Sequence, residues 1–128
     1  MRIVYISITG KIKTFIHKTQ YPHTLAITTG NELVSEPFIL LTGTIGMGEI
    51  HTHVNQFLKN NHPHLQAVIG SGNKNWGAMY CKAAIDIAAH YQVPLLFCFE
   101  SAGNNHDVAR FHEVMAHYEL KKQENQPC

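Results

Sequence analysis

The chain is short of charge and of cysteine, and each shortage removes a class of protein. Charged residues are 15% of its 128 residues, and ten lysines and arginines against nine acids leave a formal charge of +1. No basic stripe runs along it that would suit a phosphate backbone, so no nucleic acid partner is expected. Cys81, Cys98 and Cys128 are odd in number and widely spaced, with no Cys-x-x-Cys. That argues against a disulfide framework, a redox dithiol or a zinc site, and reads the first two as buried thiols. No apolar run reaches membrane-spanning length, so no membrane partner is expected. The opening MRIVYISITG puts one arginine before a short strand-like run, which does not read as a secretion signal and makes the cytoplasm the expected location. The ten histidines include no pair at i and i+4 and no His-Glu-x-x-His, so they read as mostly solvent-facing and no metal site is expected.

What is present is apolar sequence in short blocks. Hydrophobic residues are 45% of the chain, enough for one packed domain at this length, expected over residues 1–120 with a polar tail at 121–128. Arg2 to Ile6 reads as a strand, followed by a turn and a helix whose Ile12, Phe15 and Ile16 share one face. Thr24 to Thr29 is a weaker strand. Pro37 to Thr42 is nearly continuous apolar, as a central parallel strand should be. A helix then carries Ile50, Val54, Phe57 and Leu58, and a fourth strand spans Leu65 to Ile69. Trp76, Met79, Tyr80, Ala83, Ala84, Ile87, Ala88 and Tyr91 fall at helical spacing. Pro94 to Phe99 is a fifth strand, and Val108, Phe111, Met115 and Tyr118 mark a last helix.

Strands alternating with helices predict an α/β fold with a parallel sheet covered on both faces. One connection departs from the pattern. Gly30 to Glu36, between strands two and three, is too short for a crossover helix, yet seven extended residues reach roughly 23 to 25 Å. Returning along a six-residue strand and stepping over one neighbour takes roughly 22 Å. The predicted fold is therefore a flavodoxin-like doubly wound sheet of order 2-1-3-4-5, without a helix between strands two and three.

In such a sheet a ligand lies beyond the carboxyl ends of the strands, where the winding reverses. Three loops converge there: SITGKIK (Ser7 to Lys13), TGTIGMGE (Thr42 to Glu49) and GSGNKNWG (Gly70 to Gly77). Ser7, Thr9 and Gly10 ahead of a helix offer hydroxyls and free amides to an anion, although the same residues are ordinary helix caps. A triphosphate loop needs Gly-Lys-Ser/Thr, but Gly77 is followed by Ala78 and Met79. A dinucleotide fingerprint after the first strand is missing too. What fits is a mononucleotide with one phosphate and a flat ring, as in flavin mononucleotide (FMN). Gly43, Gly46 and Gly48 permit positive φ and a peptide rotation toward the flavin N5. Asn73 and Asn75 either read ring carbonyls or cap the next helix. Trp76 either stacks on the ring or begins the apolar face of that helix.

VYISITGKIKTF, PFILLTGTIGMGE, VIGSGNKNWGAMY and FESAGNNHDV, in this order and at these intervals, resemble the NrdI family, small flavodoxin-like proteins that stimulate class Ib ribonucleotide reductase. The resemblance runs to about Tyr118, and its most specific piece is the Ser-Gly-Asn-x-Asn-aromatic-Gly loop from Ser71 to Gly77. It implies bound FMN and a redox accessory role in deoxyribonucleotide synthesis rather than a stand-alone metabolic enzyme. In the family, reduced flavin and dioxygen yield an oxidant that passes to the dimanganese site of the reductase small subunit and generates its tyrosyl radical. The implied partners are that manganese subunit and an electron donor such as a flavodoxin reductase.

Carried over by position, Ser7, Thr9, Gly10 and Lys11, with Ile12 beside them, would hold the phosphate. Gly43, Thr44, Gly46, Met47 and Gly48 would flank the ring and its N5; Asn73, Asn75, Trp76 and Gly77 would cover its other edge. Glu100 would lie near the site and the partner surface. Family members usually carry Asn where Lys11 stands, often an aromatic near Gly43, and often a hydroxyl at Ile45. The near-neutral charge is unlike the strongly acidic field of general electron carriers and suits a dedicated partner. A general electron-transfer flavodoxin and a flavin-free binding module are the alternatives.

Overall fold

The structure, a computed structural model, describes residues 1–44, 48–73, 75, 77 and 80–124, with side chains to residue 119. Five parallel strands, β1 (Arg2–Tyr5), β2 (Thr24–Ala26), β3 (Phe38–Gly43), β4 (Leu65–Gly72) and β5 (Leu95–Glu100), form one sheet of order β2-β1-β3-β4-β5. Around it lie α1 (Lys11–Thr19), α2 (Thr52–Asn61), α3 (Lys82–Tyr91) and α4 (Asn105–Glu124). The doubly wound order is the expected one, and its winding reverses between β1 and β3.

Apolar alternation along the strands divides the core in two. Ile3, Ile39, Leu41, Ile69, Phe97 and Phe99 point toward α1 and α4, where Phe15 stacks on Phe99 at 4.1 Å between ring centroids and meets Phe111 edge-on. Val4, Phe38, Leu40 and Val68 point the other way, onto Val54, Phe57 and Leu58 of α2 and Ala84 and Ile87 of α3. In β3, Phe38 to Thr42 are buried, because both faces are covered, and each such apolar side chain contributes about 1.5–3 kcal/mol.

Three element boundaries differ from the sequence reading by three residues or more, each for a physical reason. The second strand ends at Ala26, not Thr29. The Ile27 amide still donates to Tyr5 at 2.7 Å, but the amides of Thr28 and Thr29 donate instead to the Glu32 carboxylate. The fourth strand runs three residues past Ile69, so Gly70, Ser71 and Gly72 are strand, not loop. Gly70 has no side chain because Ala84 and Cys81 pack where one would stand; a Cβ there would lie 2.7 Å from that of Ala84. The third helix begins at Lys82, well after Trp76. Cys81 takes a left-handed conformation at its N-cap (φ 56°), and a helix cannot continue back through that residue.

The helix-free link from Ile27 to Pro37 is held by side chains. Gly30, at φ 90°, passes so close to α2 that a Cβ would stand 2.8 Å from the His53 carbonyl. Asn61, 1% exposed at the end of α2, donates to the carbonyls of Glu32 and Phe57 and accepts from the Val34 amide. Burial alone would raise the Glu32 pKa, but the bonds from Thr28 and Thr29 override it and bring the carboxyl down to about 2. No helix among the described residues is long and apolar enough to cross a membrane.

Candidate functional site

A cavity of about 490 Å³ opens at the carboxyl ends of β1, β3, β4 and β5. That volume lies in the range of ordinary small-ligand sites. From the first loop it is lined by Ile6, Ile8, Thr9, Lys11 and Ile12, and from the second by Gly43 and Thr44. Ser71, Gly72, Asn73 and Asn75 line it from the third, and Glu100 and Ser101 from the end of β5.

The β1–α1 turn leaves the N-terminus of α1 open. Gly10 sits at the N-cap of α1 with φ 88° and no side-chain cap, and no acidic residue occupies the first turn, so the positive end of the helix is not neutralised from within it. A Cβ at Gly10 would meet nothing within 4 Å, which leaves the backbone open to a ligand. Ser7 Oγ accepts from the Lys13 amide at 3.1 Å, so this hydroxyl acts as a cap and keeps only its O–H to donate. No hydrogen bond or ion pair joins Thr9 Oγ1 or Lys11 Nζ to another described residue. With the amides of Lys11 and Ile12, which intrahelical bonds do not reach, they form a compact donor set.

The second loop has a divided role. Thr44 Oγ1 accepts from the Ala83 amide at 3.0 Å and so caps α3, keeping only its O–H to donate. Gly43 presents an open surface, since a Cβ there would make only ordinary contacts with Ile12 and Ser71. Gly48 is buried, has φ 97° and does not line the cavity. In the third loop the Asn75 amide donates to Asn73 Oδ1 at 2.9 Å, a local turn that occupies the Asn73 carbonyl and leaves its amide nitrogen as donor. Gly77 has φ 57° and does not line the cavity.

Of the residues singled out from the sequence, Thr9, Lys11, Ile12, Gly43, Thr44, Asn73, Asn75 and Glu100 therefore meet at one cavity. Ser7, Gly10, Gly48 and Gly77 stand outside its lining. Gly46, Met47 and Trp76 lie outside the described residues, so neither reading of Trp76 is decided. The sequence reading did not single out Ile6, Ile8, Ser71, Gly72 and Ser101. Ile8 is 52% exposed at the mouth, and its signal was an isoleucine inside an otherwise polar turn. Ser101 stands at the carboxyl end of β5, where Ser71 Oγ donates to its carbonyl at 2.9 Å and its own amide donates to Gly72 at 3.1 Å. Its position beyond a strand end was the available clue.

Thr9 and Lys11, aliphatic Ile6, Ile8 and Ile12, and amide-bearing Asn73 and Asn75 together line one cavity, a set compatible with a phosphorylated ligand that carries a flat ring. The comparisons agree with this geometry. A family model described as NrdI flavodoxin-like matches residues 3–113. Among solved structures, a short-chain flavodoxin associated with a bacterial microcompartment superposes with a TM-score of 0.66 at 12% identity, covering 88% of this chain and 90% of that one. A cysteine-to-alanine mutant of flavodoxin from Pseudomonas aeruginosa superposes with a TM-score of 0.60 at 15% identity, covering 92% and 96%. At these identities the two structures establish the shared fold.

Proposed function

The chain belongs to the NrdI flavodoxin-like family, and on that premise we propose that it binds FMN and supplies the oxidant that assembles the dimanganese-tyrosyl radical cofactor of a class Ib ribonucleotide reductase small subunit. The observation that carries the reading is the cavity itself. It joins an uncompensated helix N-terminus, carrying Thr9 and Lys11, to two further loops at the reversal of the winding.

Thr9, Lys11 and the first amides of α1 hold the phosphate, with Lys11 acting as a point charge. Ile6, Ile8 and Ile12 exclude water from one side of the ring. The loop of Gly43, Thr44, Gly46 and Met47 flanks the ring and its N5, and Gly48, with φ 97°, stands outside the cavity lining. Asn73, Asn75 and Trp76 cover the opposite edge, and Gly77 stands outside the cavity lining. When bound, FMN supplies the redox chemistry, its reduced form reacting with dioxygen to give the oxidant. Glu100 and the exposed Ile8 stand at the mouth, on the surface a partner subunit would meet. A flavodoxin reductase or similar donor returns the electrons.

The experiment mixes the FMN-loaded, reduced protein with oxygen and a manganese-loaded class Ib small subunit, and follows the tyrosyl radical by electron paramagnetic resonance. Radical formation that needs this protein supports the proposal. Reduction of unrelated acceptors without radical formation would make it a general electron carrier instead.

A further inference from the structure

The spacing of the cysteines gave no dithiol motif, yet the fold brings two of them together. Cys98 lies on β5, the edge strand, in register with Gly70 of β4. Residues in register on parallel neighbours point to the same face, about 4.8 Å apart. On that face a Cβ at Gly70 would stand 3.2 Å from both Cβ and Sγ of Cys81. The glycine thus leaves the gap that Cys81 fills, directly beside Cys98. The two thiols lie close enough for each to shift the other's proton affinity.

Their surroundings divide the roles. Cys81 is fully buried, and the neighbouring Cys98 and its burial push its pKa up. Cys98 is partly exposed, and its pKa is lowered first by the nearby Cys81 and then by the Arg110 guanidinium, which lies over the neighbouring Phe97 ring. A partly exposed sulfur whose thiolate is favoured, with a second thiol against it, is the arrangement of a peroxide-reactive cysteine and its resolving partner.

We propose that Cys81 and Cys98 form a reversible intramolecular disulfide in response to hydroperoxide, clamping the entrance of α3 to the end of β5 beside the cavity. The Cys98 thiolate attacks one peroxide oxygen, the O–O bond breaks, and a sulfenic acid and water result. The Cys81 sulfur then displaces the hydroxyl of that sulfenic acid, forming the S–S bond and releasing a second water. Overall two thiols lose two protons and two electrons, and one hydrogen peroxide becomes two waters. A dithiol reductant reverses the reaction. The clamp would restrain Tyr80 to Ala83, because Cys81 is the left-handed residue through which the third cavity loop enters α3. The inference needs no bound flavin.

The test treats the full chain carrying Cys128→Ser with hydrogen peroxide. It counts alkylatable thiols, measures the intact mass and maps disulfide-linked peptides. The expected result is a fall from two thiols to none, a loss of about 2 Da, a Cys81–Cys98 linked peptide reversed by dithiothreitol, and slower amide exchange at Tyr80 to Ala83. In Cys81→Ala, Cys98 should instead be trapped as a sulfenic acid by dimedone; should that variant fail to fold, Cys98→Ser must leave Cys81 reduced. Two thiols persisting in the folded chain, Cys98 advancing to sulfinic acid beside a free Cys81, or linkage only between chains would overturn the proposal. Unchanged exchange at Tyr80 to Ala83 would overturn the clamp.

Discussion

Two irregular regions of this molecule treat their polar groups in opposite ways. The link from Ile27 to Pro37 turns them inward: the Glu32 carboxylate takes the amides of Thr28, Thr29 and Gly30, and Asn61 takes Val34 and Glu32. The β1–α1 turn faces Thr9, Lys11 and the first amides of its helix into a cavity. A connection without a helix persists when neighbouring side chains satisfy its backbone, whereas a binding loop leaves its donors to the ligand. Substitutions in the first region should therefore cost stability, and those in the second should cost affinity.

The largest expected effect is at Asn61. Asn61→Ala leaves the part-buried Val34 amide and Glu32 carbonyl and the buried Phe57 carbonyl without this partner, and should lower unfolding free energy in urea by about 2–4 kcal/mol while FMN affinity of the folded protein stays the same. A folded variant with weakened FMN binding and intact stability would break the contrast. On the other side, Lys11→Ala should weaken FMN binding about tenfold, or about 1.4 kcal/mol, by fluorescence titration, with the denaturation midpoint nearly unchanged.

Thr44 sharpens the division, because it lines the cavity yet acts as a cap. Thr44→Val should lose about 1 kcal/mol of stability by freeing the Ala83 amide, and leave FMN affinity within about twofold. The smallest effect is the pH dependence of the link. Glu32 has a folded pKa near 2 against an ordinary 4.5, so its contribution is present above pH 4.5 and fades as pH falls toward 2. Solvent screening keeps it below about 1 kcal/mol, and Glu32→Gln should flatten stability across that window alone.

Much of the sheet was legible in the sequence because apolar runs such as PFILLT admit few other readings, and the brevity of Gly30 to Glu36 already excluded a fourth crossover helix. What could not be read depends on contacts across the fold. Gly70 looks like loop until Cys81 and Ala84 are seen to occupy its side-chain space. Trp76 fits the period of α3, but no local pattern announces that Cys81 turns left-handed. The dual use of Thr44 is equally hidden, since its partner Ala83 is far along the chain. The cavity was partly legible: glycine and hydroxyl residues beyond strand ends marked three walls, while Ser101 joins through hydrogen bonds to Ser71 and Gly72 that composition does not carry.

The central claim, that the β1–α1 turn holds the phosphate of a bound flavin, is tested most directly by titrating the same protein with FMN and with riboflavin, which lacks the phosphate, and following flavin absorption and fluorescence. The account predicts a perturbed flavin spectrum and FMN binding at least about tenfold tighter than riboflavin, with the difference largely lost in Lys11→Ala. Equal affinity for the two flavins, or no spectral change with FMN, would contradict it.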